Sequence, residues 1–179
     1  MTCPPDEIDN LIALMQRDEL GGMHQLNEML LQYPRDPQIL FLMGSFLAGK
    51  GILPKALELL RLALAMAPDF DMARFQLGLL ELTSGAPDRA AEIWAPFQQY
   101  PDGNFLRLFA DGLAYLVRNQ FDRAIELLSR GMEANDIIPQ YNADLRAMIM
   151  QIRSDLEAAT ALSAGRTEPR SQILDAIRH

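Results

Sequence analysis

Apolar residues along the chain recur at intervals of three and four, the spacing that gathers side chains on one face of a helix. Leu40, Met43, Phe46 and Leu47 form one such set, and Ala56, Leu57, Leu60, Ala63 and Leu64 form another. Between them lies Gly51, a residue that reaches turn conformations other residues resist. Pro37 opens the first set at a position where its missing N–H costs nothing, and Pro68 closes the second. The pattern predicts a helix, a tight turn and a second helix. It then repeats at one fixed interval, the step from Gly44 to Gly78 and from Gly78 to Gly112. Ala56, Ala90 and Ala124 keep the same step, as do Leu60, Trp94 and Leu128. Further columns are Phe41/Phe75/Phe109, Met43/Leu77/Asp111, Leu40/Arg74/Leu108 and Gly51/Gly85/Asn119, in which Arg74 and Asp111 are departures. The second unit turns at Ser84-Gly85-Ala86-Pro87 and ends at Tyr100-Pro101-Asp102-Gly103. The third turns at Asn119, which tolerates a left-handed backbone, and ends near Asn135-Asp136.

The flanks read differently. Two amphipathic helices fit residues 1–36, roughly Asp6–Asp18 and Gly22–Tyr33. Leu26 and Pro34 stand one period before Leu60 and Pro68, but the small-residue signature is missing, so this is read as a degenerate pair. Beyond the third unit, Tyr141, Leu145, Met148, Ile152, Leu156 and Ala159 make one stripe on a helix spanning Gln140–Ser163. An array of stacked units needs such a terminal helix to cover its last apolar face. Ala164–Arg170, with Gly165 and Pro169, reads as a linker, and Ser171–His179 as a short helix capped by Ser171.

These residues resemble the tetratricopeptide repeat family. Its pattern appears as Met43-Gly44, Ala56, Leu60, Ala63 and Pro68 in the first unit, and as Leu77-Gly78, Ala90 and Trp94 in the second, with Pro101 one place early. In the third it appears as Gly112, Tyr115, Ala124, Leu128 and Gly131, without the terminal Pro. The resemblance implies an all-α, right-handed solenoid of helix–turn–helix repeats over 37–70, 71–104 and 105–138. Residues 1–36 precede them as the degenerate pair, and 139–163 follow as a capping helix. Residues 1–163 then form one solenoid and 164–179 a linker and tail.

Charge and chemistry narrow the function. The net charge is −8, and residues 1–36 hold 7 Asp/Glu against 2 Lys/Arg. No basic stripe exists to meet phosphates, which argues against nucleic acid. No uninterrupted apolar run reaches the roughly 18 residues a membrane helix needs. Cys3 lies too near the start to follow a signal sequence, and a single cysteine in 179 residues fits a reducing compartment. The expected location is the cytoplasm of a bacterial cell. The chain lacks a Walker A loop, GxGxxG, GxSxG and HExxH. His24 and His179 are far apart and read as surface residues, and Cys3 as an inert thiol. The expectation is a non-enzyme with no cofactor and no metal.

The resemblance also implies where a partner binds. In the family, the first helix of each unit lines a concave groove. Carried onto this sequence, the groove residues are Phe41 and Ser45; Met72, Phe75, Gln76, Leu79 and Leu82; and Leu106, Phe109, Leu113 and Leu116. None is charged, which excludes the subclass that clamps chaperone C-terminal carboxylates with Lys, Asn and Arg. An apolar groove of this kind suits a helix or extended segment of another protein. A second copy of the chain, or its own Ile173-Leu174-Ile177 stretch, is a further occupant. Size, acidity and three repeats also fit a type III secretion-like chaperone of a hydrophobic translocator client. The remaining alternative is a structural subunit that uses its acidic N-terminal face.

Overall fold

The structure, a computed structural model, describes residues 2–137 and 139–165; the short helix and tail expected after Gly165 lie outside them. Every regular element among the described residues is helical. The elements are α1 (Pro5–Arg17), α2 (Glu19–Gln32), α3 (Pro37–Gly49), α4 (Leu53–Met66), α5 (Asp71–Thr83), α6 (Pro87–Trp94), a 3₁₀ turn (Ala95–Gln99), α7 (Phe105–Val117), α8 (Phe121–Ala134) and α9 (Pro139–Gly165). The period is visible in the helix starts. The leading helices α3, α5 and α7 begin at Pro37, Asp71 and Phe105, and the trailing helices α4, α6 and α8 at Leu53, Pro87 and Phe121. Both series advance by the interval that separates Gly44 from Gly78. The chain divides into two compact units, Met1–Tyr100 and Pro101–His179.

In the first unit α1 packs on α2, α3 on α4 and α5 on α6, with α2 against α3 and α4 against α5. One core joins Ile8, Leu11, Leu26, Met29, Ile39, Leu40, Met43, Leu59 and Ala63. A second joins Ala56 and Leu60 to Leu77 and Leu80. The crossings are close because glycine stands at them. A Cβ on Gly44 would lie 2.9 Å from Leu60 Cγ, and one on Gly78 would fall onto the Trp94 indole. The tight turns take the left-handed backbone that the sequence pattern requires, at Gly51 (φ 75°) and Gly85 (φ 83°).

The first pair corrects the sequence reading. Its trailing helix begins at Glu19, not Gly22, and Glu19 stands one full period before Leu53. Gly22 therefore occupies the column of Ala56, Ala90 and Ala124, and a Cβ there would meet Met15 Cγ at 2.6 Å. One small position of the signature is therefore present, while Asn10 stands in the column of Gly44, Gly78 and Gly112 and Met29 in that of Ala63. The turn differs as well. Arg17 stands where Gly51 and Gly85 stand, so α1 runs on to Arg17 and the chain turns through Asp18 in an extended conformation (φ −146°, ψ 94°). Asp18 then caps α2, accepting from Gly21 N–H at 3.1 Å.

Asp36 ties this pair to the next. Its buried carboxylate accepts from the backbone N–H of Gln38 and Ile39 at the start of α3, at 2.9 and 3.1 Å. The other oxygen accepts from Cys3 N–H at 2.9 Å. One side chain thus caps α3 and holds the beginning of the chain against it. Asp36→Ala is expected to cost about 2–4 kcal/mol. A cap is worth about 1 kcal/mol, and a buried N–H left at Cys3 adds about 1–3 kcal/mol. Denaturant unfolding of the two proteins measures it, and a loss below about 0.5 kcal/mol, the low end for a lost cap, would remove Asp36 from this role.

The second repeat ends early. Pro96 cannot donate into a continuing helix, so α6 stops at Trp94 and the chain tightens into the 3₁₀ turn. Tyr100 closes the repeat by donating its hydroxyl to Asp71 at 2.7 Å, and this bond raises the Tyr100 pKa above the usual phenol value.

In the second unit α7 packs on α8, and α9 on α8. Here the crossing glycines are Gly112, whose Cβ would lie 2.8 Å from Leu128 Cγ, and Gly131, whose Cβ would meet the Phe109 ring at 2.5 Å. Asn119 takes the left-handed turn (φ 58°). The sequence predicts the last helix over Gln140–Ser163, and it runs slightly further, Pro139–Gly165, so Ala164 and Gly165 belong to it and not to a linker. Its Leu145 and Ile149 are buried. Asn142 donates to Met132 O at 3.1 Å, fixing the start of α9 against the end of α8.

Candidate functional site

The uncharged positions of the leading helices separate into two groups. On α3, Phe41, Leu42, Ser45 and Ala48 are half-buried; on α5, Met72, Gln76, Leu79 and Leu82 are half-buried too. Steps of three and four keep Phe41, Ser45 and Ala48 on one face of α3 and Met72, Gln76, Leu79 and Leu82 on one face of α5. The two helices touch. They present a half-open apolar face in which Phe41 packs against Phe70, ring centroids 5.1 Å apart. Fixed helical backbone on both sides holds these side chains in place.

The aromatic ladder does not line this face as expected. Phe75 is 1% exposed and Phe109 0%. Phe75 stacks on Trp94 (5.8 Å, 21° between planes), and the Trp94 indole N–H donates to the Phe75 carbonyl at 3.2 Å. Phe109 fills the space over Gly131 and meets Phe105 edge-on at 5.8 Å. At Phe75 and Phe109 the ring packs against its own trailing helix and becomes core, whereas Phe41, at the same place on α3, stays half-buried against Phe70. Leu106 and Leu113 are likewise buried, while Leu116 is half-buried. Of the expected groove residues, Phe41, Ser45, Met72, Gln76, Leu79 and Leu82 come together on the α3–α5 face. Leu116 stands in the other unit.

The titratable groups give little for chemistry to use. Cys3 is buried, and its thiol is pushed up to about 11, first by burial and then by the carboxylates of Glu7 and Asp36. A thiol in that state supplies almost no thiolate near neutral pH. His24 lies on the surface of α2 beside Glu28, 3.3 Å away. Among the described residues, no cluster of His, Cys, Asp and Glu could hold a metal ion, and no helix is long and apolar enough to cross a membrane. Glu81 is a feature with no signal in the sequence pattern. Its side chain on α5 is only 3% exposed, and it is paired with Arg61 of α4 and, at 3.8 Å, with Arg89 of α6.

Neither the protein-family models nor the curated proteins include a match to the chain. Solved structures do match. A crystal structure of MamA superposes with a TM-score of 0.56 at 19% identity, over 72% of this chain and 75% of that one. MamA from residue 41 onward of Desulfovibrio magneticus RS-1 gives 0.55 at 20%, over 95% and 99%. PilF of Pseudomonas aeruginosa gives 0.57 at 15%, over 91% and 75%. MamA and PilF are tetratricopeptide-repeat proteins, and at these identities the likeness speaks for the fold alone. With helix pairs that recur at one fixed interval and glycine or alanine at their crossings, it shows that this chain has the all-α tetratricopeptide-repeat fold.

Proposed function

We propose that the protein is a non-catalytic interaction adaptor that receives an apolar helix or extended segment of a partner on the α3–α5 face. The observation that carries this reading is the composition of that face: Phe41, Leu42, Met72, Leu79 and Leu82 are half-buried, with Ser45 and Gln76 among them and no charge. Half-exposed apolar side chains gain roughly 25 cal/mol for each Å² that a partner removes from water. Ser45 and Gln76 offer no charge that a carboxylate could answer. The likeness to tetratricopeptide-repeat structures supports a role in protein contacts. No cofactor or metal enters this reading.

The test is affinity capture from native lysate with mass spectrometry, followed by titration of the captured partner. Met72→Lys with Leu79→Lys is expected to lower affinity at least tenfold, about 1.4 kcal/mol. Helicity should persist, because both side chains are only half-buried. Wild-type binding should change little with salt, since screening acts on charges. Unchanged affinity in the double variant would take the function off this face. A steep loss of wild-type binding with salt would favour the acidic N-terminal alternative, whose carboxylates Asp6 and Glu7 stand in the first turn of α1.

A further inference from the structure

The register of the repeat runs on into α9. Pro139 stands one period after Phe105, so α9 begins where a fourth leading helix would begin. The helices α3, α5 and α7 each give way to a left-handed turn, at Gly51, Gly85 and Asn119, and are then covered by a trailing helix. In α9 that place is held by Arg153, and the helix continues unbroken to Gly165. The missing turn leaves one side of α9 bare. Leu145 and Ile149 are buried, with Ile152 and Leu156 half-buried along the same side. On the opposite side Ala143, Ala147, Met150, Ser154 and Ala158 follow one another at steps of three and four. All five are uncharged and exposed, Met150 by 72%. On α7 the positions matching Ala143 and Ala147 are Phe109 and Leu113, both 0% exposed, and Phe109 lies over Gly131 of α8. Charged side chains stand at the margins of the bare line. Arg146, Arg153 and Glu157 follow one margin, and Asp155, which accepts from Gln151 Nε2 at 2.8 Å, lies on the other.

The second half of α9 carries the complement. Ala158 stands in the column of Ala56, Ala90 and Ala124, and Leu162 in that of Leu60, Trp94 and Leu128, the columns that mark a trailing helix. Both halves belong to one unbroken helix, so the trailing half cannot turn back onto the leading half of its own chain. We propose that the bare side of α9 is a homodimer interface. Two copies lay their α9 helices antiparallel across a two-fold axis near Ser154, and the trailing half of each covers the leading half of the other. Such an interface is isologous, the same patch serving twice. The repeats supply its register. Ala48 packs on the cluster that holds Ala56, and Met150 stands in the column of Ala48. Met150 of one copy is thereby set against Ala158 of the partner subunit, and Arg153 comes beside Glu157 of the partner subunit, once on each side of the axis. The small side chains along the line let the two helices approach closely. This inference stands apart from the α3–α5 face and does not depend on it.

Sedimentation and cysteine cross-linking of the full-length protein test it. The wild type is expected to sediment as a dimer, at about twice the 20.1 kDa of one chain. Ala147→Lys with Ser154→Lys should raise the dimer dissociation constant at least tenfold, about 1.4 kcal/mol. Both positions are exposed, so helicity should be kept. Met150→Cys with Ala158→Cys is then oxidised and separated without reductant. Along one helix these positions are about 12 Å apart, beyond the roughly 7 Å that a disulfide spans between Cα atoms. A disulfide between two copies is expected, at least tenfold more than in either single variant; Cys3 is buried. A wild type that sediments at 20.1 kDa throughout would overturn the proposal. So would a disulfide closed within one chain, which would mean that α9 turns back as an ordinary fourth repeat. A dimer that keeps its affinity in the lysine variant and forms no cross-link would place the contact elsewhere and overturn it too.

Discussion

Phe75→Ala is expected to lower the unfolding free energy by about 3–5 kcal/mol, the cost of emptying a fully enclosed aromatic site. The ring is 1% exposed and stacked on Trp94. Its removal leaves that indole without one face of its packing. Little relaxation is open to Trp94, because its N–H is bonded to the backbone carbonyl of residue 75 itself. Denaturant unfolding monitored through the single tryptophan measures the change. A loss smaller than half the low end of that range would mean that the site collapses freely, against the geometry described. The result also governs how binding is tested. Neither Phe75 nor Phe109 can be used as a surface probe, because any lost affinity would be mixed with lost fold. Met72 and Leu79 carry no such burden.

Gly78→Leu should destabilise by about 3 kcal/mol or more, and even Gly78→Ala should be unfavourable. Two effects oppose each other at this position. Replacing a mid-helix glycine by alanine gains about 1 kcal/mol in helix propensity. Overpacking a tight contact costs about 1–3 kcal/mol for added methylenes. At Gly78 the new Cβ lands on the Trp94 indole, which is only 4% exposed and held on both sides, so the contact wins. At Gly49, the last residue of α3, nothing lies within 4 Å of the same added carbon. Gly49→Ala is therefore expected to stabilise by up to about 1 kcal/mol. The pair of substitutions, measured together by thermal and denaturant unfolding, separates helix propensity from crossing distance. If both alanines stabilise, the helix pair is not held as closely as its glycine implies.

Much of the fold was legible because the repeat writes it several times. A glycine at residue 44 says little alone, but Gly44, Gly78 and Gly112 together say that a neighbour approaches closely. Gly51, Gly85 and Asn119 likewise mark one backbone conformation, and all three adopt it. The first pair is harder to place. Without a glycine or asparagine at Arg17 the turn leaves no mark, and the pattern then points to Gly22 as a helix start instead of a crossing residue. The shortened α6 is written at Pro96, but the larger period, which places a full trailing helix there, masks it. The proposed α3–α5 face was only half legible for a different reason. Helical spacing tells which residues share a side of α5, but not where the boundary between core and surface runs. Phe75 and Leu79 share that side, and only the position of Trp94 decides that one is enclosed and the other half-open. Pairings distant in sequence, such as Glu81 with Arg61, leave no periodic trace at all.

That buried carboxylate makes the repeats non-interchangeable. Glu81 takes one cation from the helix before it and one from the helix after it. Counting by the period, its counterparts are Leu47 and Tyr115, and those of Arg61 are Ala95 and Ser129. If residues 71–104 were cut out and joined to a copy of themselves, the Glu81 of the second copy would face Ala95 where Arg61 now stands. Glu81 would keep only the longer Arg89 contact, at 3.8 Å. A buried charge left wholly without a partner costs about 3–5 kcal/mol, so the loss of Arg61 disfavours the rearrangement by up to that much. The glycines and alanines would accept any order of modules. Glu81 and Arg61 accept one, so the pair acts as an address that records which repeat comes first.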